Sequence, residues 1–82
     1  NSSTTELRKL IGYFDCNSQN HQEKAHKLLR EVDEYLQQKI PSITQENQQL
    51  AFALIEYIDL VKDGRLSKEI LEYIVSSAER IC

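Results

Sequence analysis

The stretch from Leu50 to Val61, LAFALIEYIDLV, constrains the fold more than any other part of the chain. Wound into a helix, it places Leu50, Ala51, Phe52, Ala53, Leu54, Ile55, Tyr57, Ile58, Leu60 and Val61 over more than half of its circumference. A helix that is apolar over so wide an arc has to be covered on two or three sides. The sequence therefore predicts that this helix is the central one of a bundle and that the rest of the chain wraps it.

Three other stretches show helical periodicity. Ser3 followed by Glu6 has the form of a capping box. Leu7, Leu10, Ile11 and Phe14 then fall at i, i+3, i+4 and i+7, which predicts a first helix reaching about Phe14. Gly12 in its last turn either costs about 1 kcal/mol relative to Ala or lets a neighbouring helix come close. The polar run Asp15 to Asn20 reads as a turn, with Asn20 and Glu23 as the expected cap of a second helix. That helix carries Ala25, Leu28, Leu29, Val32, Leu36 and Ile40 on one face and charged residues on the other. Pro41 is expected to exclude the α conformation at Ile40 and to stop the helix there.

Ser42 or Thr44 is expected to cap the apolar third helix, which runs to about Lys62, with Gly64 in the left-handed region beyond its end. Ser67 caps a fourth helix. Leu66 and Leu71 stand in hydrophobic-staple positions, and Ile70, Leu71, Ile74, Val75, Ala78 and Ile81 face inward. Four helices with three short connections predict an all-α fold, an antiparallel up-down-up-down four-helix bundle, as a single domain over residues 1–82. In that order Cys16 and Cys82 lie at opposite ends, roughly 18 Å apart. A disulfide spans at most ~7 Å between Cα atoms, so no Cys16–Cys82 bridge is expected.

Composition removes several function classes. The formal net charge of −3 opposes the basic face that a nucleic-acid binder needs, and no nucleic-acid partner is expected. No apolar run approaches the ~18 residues of a membrane span, and no secretory leader is read at the start. Two cysteines are too few for a disulfide framework. Reduced thiols in a cytoplasmic protein are the expectation.

Neither a catalytic, a cofactor nor a metal site is expected, and the chain is not read as an enzyme. His21 and His26 are five apart and point to different faces, whereas helical metal pairs need a spacing of three or four. Both are read as solvated surface. Cys16 beside His21 lacks an oxyanion hole and an orienting third group. Glu56, Asp59 and Asp63 line one edge of the third helix and read as its hydrated side.

The tyrosines Tyr13, Tyr35, Tyr57 and Tyr73 fall one to each predicted helix, near the border of its apolar stripe. Core-edge packing is the ordinary use of such residues, and a shared binding face is the alternative. The tip between the third and fourth helices gathers Lys62, Asp63, Arg65 and Lys68.

The order of these elements, with EYLQQK closing the second helix, LAFALIEYIDLVKDG in the third and LSKEILEYIVSSAERI in the fourth, resembles the immunity proteins of pediocin-like (class IIa) bacteriocins. The nearest local matches are Leu54 to Ile58, Leu66 to Glu69 and Leu36 to Lys39. The resemblance covers most of the chain. It implies an antiparallel four-helix bundle in the producer's cytosol, where it would engage the bacteriocin-bound mannose phosphotransferase permease from inside. It also implies that the C-terminal half sets specificity. By position that assigns partner binding to Tyr57, Lys62, Asp63, Arg65, Lys68, Tyr73 and Arg80, in a monomer or weak homodimer. Family members often carry an ordered tail beyond the fourth helix, and this sequence stops at Cys82. A second resemblance competes: Leu50 to Ile58 is similar to the N-terminal dimerisation helices of small glutamine-rich TPR co-chaperones. It implies a helical dimerisation or adaptor module.

Overall fold

A computed structural model describes residues 2–81. Four α-helices follow one another, α1 (Ser2–Ile11), α2 (Gln19–Lys39), α3 (Gln45–Val61) and α4 (Lys68–Ile81), with a 3₁₀ turn, Ile40–Ser42, between α2 and α3. The described residues contain no strand. The Cys16–Cys82 pairing falls outside them, because Cys82 does; Cys16 itself is a free, exposed thiol.

Each helix boundary has a local cause. Ser3 lies inside α1 and is buried, so it does not cap the helix as the Ser3–Glu6 spacing predicted. The α-helix ends at Ile11 rather than Phe14. Beyond it the N–H groups of Gly12, Tyr13 and Phe14 donate to Lys9, Leu10 and Ile11 at 3.1, 3.1 and 3.4 Å, a tightened i→i−3 finish. Gly12 therefore sits past the helix rather than within it. A Cβ added there would meet the Lys9 carbonyl of its own turn at 3.3 Å, and no neighbouring helix.

Ser18, not Asn20, caps α2, its Oγ accepting from the His21 N–H at 3.2 Å. The preceding turn is set by Asp15, whose carboxylate accepts the Asn17 N–H and whose carbonyl accepts the Ser18 N–H. This starts the helix ahead of Asn20. Pro41 shapes the other end differently from the prediction. Ile40 holds helical angles, φ −48° and ψ −46°, and the chain tightens into the 3₁₀ turn through Pro41. Pro is tolerated in a first helical turn, where its missing N–H has no partner to lose. The Ile40 carbonyl is taken instead by Gln48 Nε2 at 2.7 Å.

Thr44 caps α3 through the Asn47 N–H, and Ser67 caps α4 through the Ile70 N–H, both at 3.2 Å. Gly64 does not adopt a positive φ. Its N–H donates to the Val61 carbonyl at 3.1 Å, so the α3 end closes as a short right-handed turn.

The packing places α2 and α4, not α3, in the middle. α1 lies against α2 and α4, α3 lies against α2 and α4, and α2 touches α4 between them, while α1 and α3 do not meet. The core draws Leu7, Leu10 and Ile11 from α1, Ala25, Leu29, Val32 and Leu36 from α2, and Leu71, Ile74, Val75, Ala78 and Ile81 from α4. Leu66 closes it beneath the α3–α4 turn. α3 contributes Ala51, Leu54 and Ile58. Its apolar arc is wider than the contact its two neighbours make. Leu50 and Phe52 remain 51% and 48% exposed, and Leu60 82%. The central-helix expectation is thus overturned.

Candidate functional site

The partner-binding residues assigned by position fall on two different surfaces. Tyr57, Tyr73 and Arg80 lie on the outer face of the α3–α4 pair. α4 runs back along α3: Asn47 Nδ2 donates to the Ile81 carbonyl at 3.2 Å, and the Tyr57 and Tyr73 rings meet edge to face at 5.0 Å between centroids. Tyr73 and Arg80 share a shallow groove with Leu50, Ala53 and Ser77. Tyr57 is half-buried, whereas Tyr73 is 56% exposed.

Along α3 the residues Leu50, Ala53, Tyr57 and Leu60 recur at spacings of three, four and three, so they form one stripe beside this groove. Leu50, Ala53 and Leu60 are exposed. Together with Tyr57 they leave a contiguous apolar patch on the outer side of α3.

Lys62, Asp63 and Arg65 belong to the other surface. Lys62 and Asp63 face a cleft against α2, lined also by His26, Arg30, Asp33 and Glu34. Lys62 Nζ lies 3.2 Å from Asp59 Oδ1, and that hydrogen bond, then the Asp59 charge, holds its ammonium pKa above the usual lysine value. Arg65 Nη2 donates to Asn17 Oδ1 at 3.0 Å, tying the turn to the α1–α2 connection. Lys68 opens α4 as an exposed side chain.

The tyrosines do not form one shared face. Tyr13 packs edge-on to His21 at 5.4 Å, Tyr35 lies under Lys39 Nζ at 5.6 Å, and Tyr57 meets Tyr73.

Two α2 side chains that were not assigned a role from sequence fix the α3–α4 turn. Gln22 is buried, and its carboxamide meets the Leu66 main chain twice: Nε2 donates to the Leu66 carbonyl at 2.8 Å, and Oε1 accepts the Leu66 N–H at 3.0 Å. Nε2 also donates to the Cys16 carbonyl at 3.0 Å. One turn on, His26 lies between the Gln22 and Gly64 carbonyls, with Nδ1 and Nε2 at 2.6 and 2.9 Å. His26 is therefore a half-buried bridge, not the solvated surface residue expected. The available signal was phase: Gln22, Ala25, Leu29, Val32 and Leu36 recur at three- and four-residue steps, so a polar residue stands in register with the core stripe. His21 is likewise engaged, its Nδ1 accepting the Asp15 N–H at 3.0 Å while Phe14 stacks on its ring.

No buried side-chain nitrogen or oxygen among the described residues lacks a partner. Among these residues, too, no group of three or more His, Cys, Asp or Glu is arranged to hold a metal ion, and no helix is long and apolar enough to cross a membrane. Comparisons of the chain with family models, with curated proteins and with solved structures return no match.

Proposed function

We propose that the chain is a non-enzymatic bacteriocin immunity protein, which protects a producer cell from a pediocin-like peptide by binding the bacteriocin–permease complex from the cytosol. The observation that carries this reading is the exposed apolar stripe of α3 beside Tyr73. It lies in the C-terminal half, where the resemblance puts specificity. Tyr57, Tyr73 and Arg80 are its contact residues, and the tip formed by Lys62, Asp63, Arg65 and Lys68 is a second, polar contact. The accompanying fold is an antiparallel up-down-up-down bundle, supported by the Arg65–Asn17 and Gln22–Leu66 contacts that bring two connections to one end.

Expression of the chain in a bacteriocin-sensitive strain, challenged with several class IIa peptides, tests it. Survival against at least one peptide is expected, and loss of that survival in a Tyr73→Ala variant. Unchanged killing by all of them counters the reading.

The same stripe favours a second reading, a helical module that joins other domains by dimerising. A nanomolar dimer without protection in the killing assay supports that module instead.

A further inference from the structure

The exposed stripe on α3 is complementary to itself. Leu50, Ala53, Tyr57 and Leu60 run large, small, large, large, at the spacing that helix pairs use to interleave. Set against an antiparallel copy, with the twofold axis between Ala53 and Tyr57, Leu50 opposes the partner's Leu60. Ala53 then opposes the partner's Tyr57, and both pairings recur on the other side of the axis. Tyr57 is half-buried against the core and Tyr73, and the part of its ring left exposed meets the one small residue of the stripe. A parallel copy would instead stack Tyr57 on the partner's Tyr57 and leave the Ala53 pair a gap.

The charges at the two ends agree with the same direction. Arg80 lies beside Leu50 in the groove, whereas Glu69 is one turn from Tyr73 toward the Leu60 end. An antiparallel partner brings Arg80 to the partner's Glu69. Glu46, one turn before Leu50, shares the Arg80 end and tempers that attraction, so apolar contact carries the association.

The area also fits. With Leu50 and Leu60 at 51% and 82% exposure and Tyr73 beside them at 56%, this face offers on the order of 400 Å² of mostly apolar surface. One side of a standard interface buries about 800 Å², a little over half of it non-polar. We infer that this face is covered by a second copy of the chain, in a reversible antiparallel α3–α3 dimer. The inference does not rest on the immunity reading, since its test reads mass rather than killing. A dimer of this kind hides Tyr57 and Tyr73, so partner binding and self-association exclude one another.

Sedimentation equilibrium of the full chain from roughly 1 to 300 µM tests it, with two exposed-site variants, Leu50→Lys and Leu60→Glu. Neither side chain belongs to the core, and circular dichroism checks that both variants stay folded. The wild-type chain is expected to pass from monomer to dimer over this range. Each variant alone should shift the midpoint upward by about tenfold or more. An equimolar mixture of the two should recover the wild-type midpoint. In the mixed dimer the ammonium introduced by Leu50→Lys meets the carboxylate introduced by Leu60→Glu, while the second Leu50–Leu60 pair stays intact. A wild-type chain that is monomeric throughout overturns the inference. So does a dimer indifferent to Leu60→Glu, or a mixture no better than its components, which would mean that the helices do not pair in this direction.

Discussion

α4 has 14 residues and buries five of them, whereas α3 has 17, carries the longer apolar run and buries three. Both helices border α2 and touch each other, but α4 also packs against α1, which α3 does not meet. Phase adds to that difference. In α4 the large aliphatic residues Leu71, Ile74, Val75 and Ile81 recur at the helical period, and all of them turn inward. In α3 they are spread around the axis: Leu54 and Ile58 are fully buried with Ala51, while Ile55 and Val61 pack half-buried at the core's edge. Apolar content measures how much surface a helix could bury. The angular distribution of that content, against the number of neighbours, decides how much it does bury.

The contrast is sharpest at α3, whose two sides should respond very unequally to the same change. Ile58→Ala, on the inner side, should cost about 3 kcal/mol, as should Ile74→Ala on α4. Leu60→Ala, on the outer side, should stay within about 0.5 kcal/mol. Urea unfolding at a concentration where the chain is monomeric measures all three. Equal losses at residues 58 and 60 would break the distinction.

Next in size is the turn that joins the two helices. Gln22→Ala leaves the Leu66 N–H and carbonyl without their buried partner and should cost about 2 kcal/mol. Amide exchange at Leu66 should accelerate more than exchange within α1.

A smaller gain is expected at Gly64. Its φ is not positive, and an added Cβ would lie at an ordinary 3.7 Å from the Val61 carbonyl. Gly64→Ala should therefore stabilise by about 0.5 kcal/mol through the unfolded state, read as a higher urea midpoint.

The smallest effect lies on the outer edge of α4, where Arg8 Nη2 reaches Glu79 Oε1 at 2.8 Å. The hydrogen bond from Arg8, and then its charge, hold the Glu79 carboxyl pKa below the ordinary glutamate value. A lowered folded-state value stabilises above the unfolded value, about 4.3, and that contribution is lost as pH falls through the folded one. The melting temperatures of the wild type and Glu79→Gln should differ slightly at neutral pH and converge below the glutamate range. Added salt should narrow the difference, since both groups are exposed.

The four helices were legible in the sequence because their signals are local. Thr44 and Ser67 cap where their spacing indicated, and the α2 and α4 core faces follow directly from periodicity. What was not legible depends on other segments. Ser18 prevailed over Asn20 because Asp15 had already organised the preceding turn. The burial of α3 depends on how many helices adjoin it, which its own residues do not encode. His26 reads as surface on an α2 wheel and becomes a bridge only when the Gly64 carbonyl arrives from a position 38 residues away. On the candidate surface, Tyr57 and Tyr73 could be named from sequence, but not that they touch, nor that Lys62 and Arg65 turn toward a different neighbour.

The hold of α2 on the α3–α4 turn has a bearing on how such a protein changes over generations. Gln22 and His26 grasp peptide groups at Gly64 and Leu66, and not the side chains of Asp63 or Arg65. A clasp of that kind is indifferent to what the tip displays. Apart from Arg65, whose side chain holds Asn17, charges there can be exchanged one at a time while the loop keeps its shape, which leaves the tip open to drift and selection for new partners at little risk to the scaffold beneath.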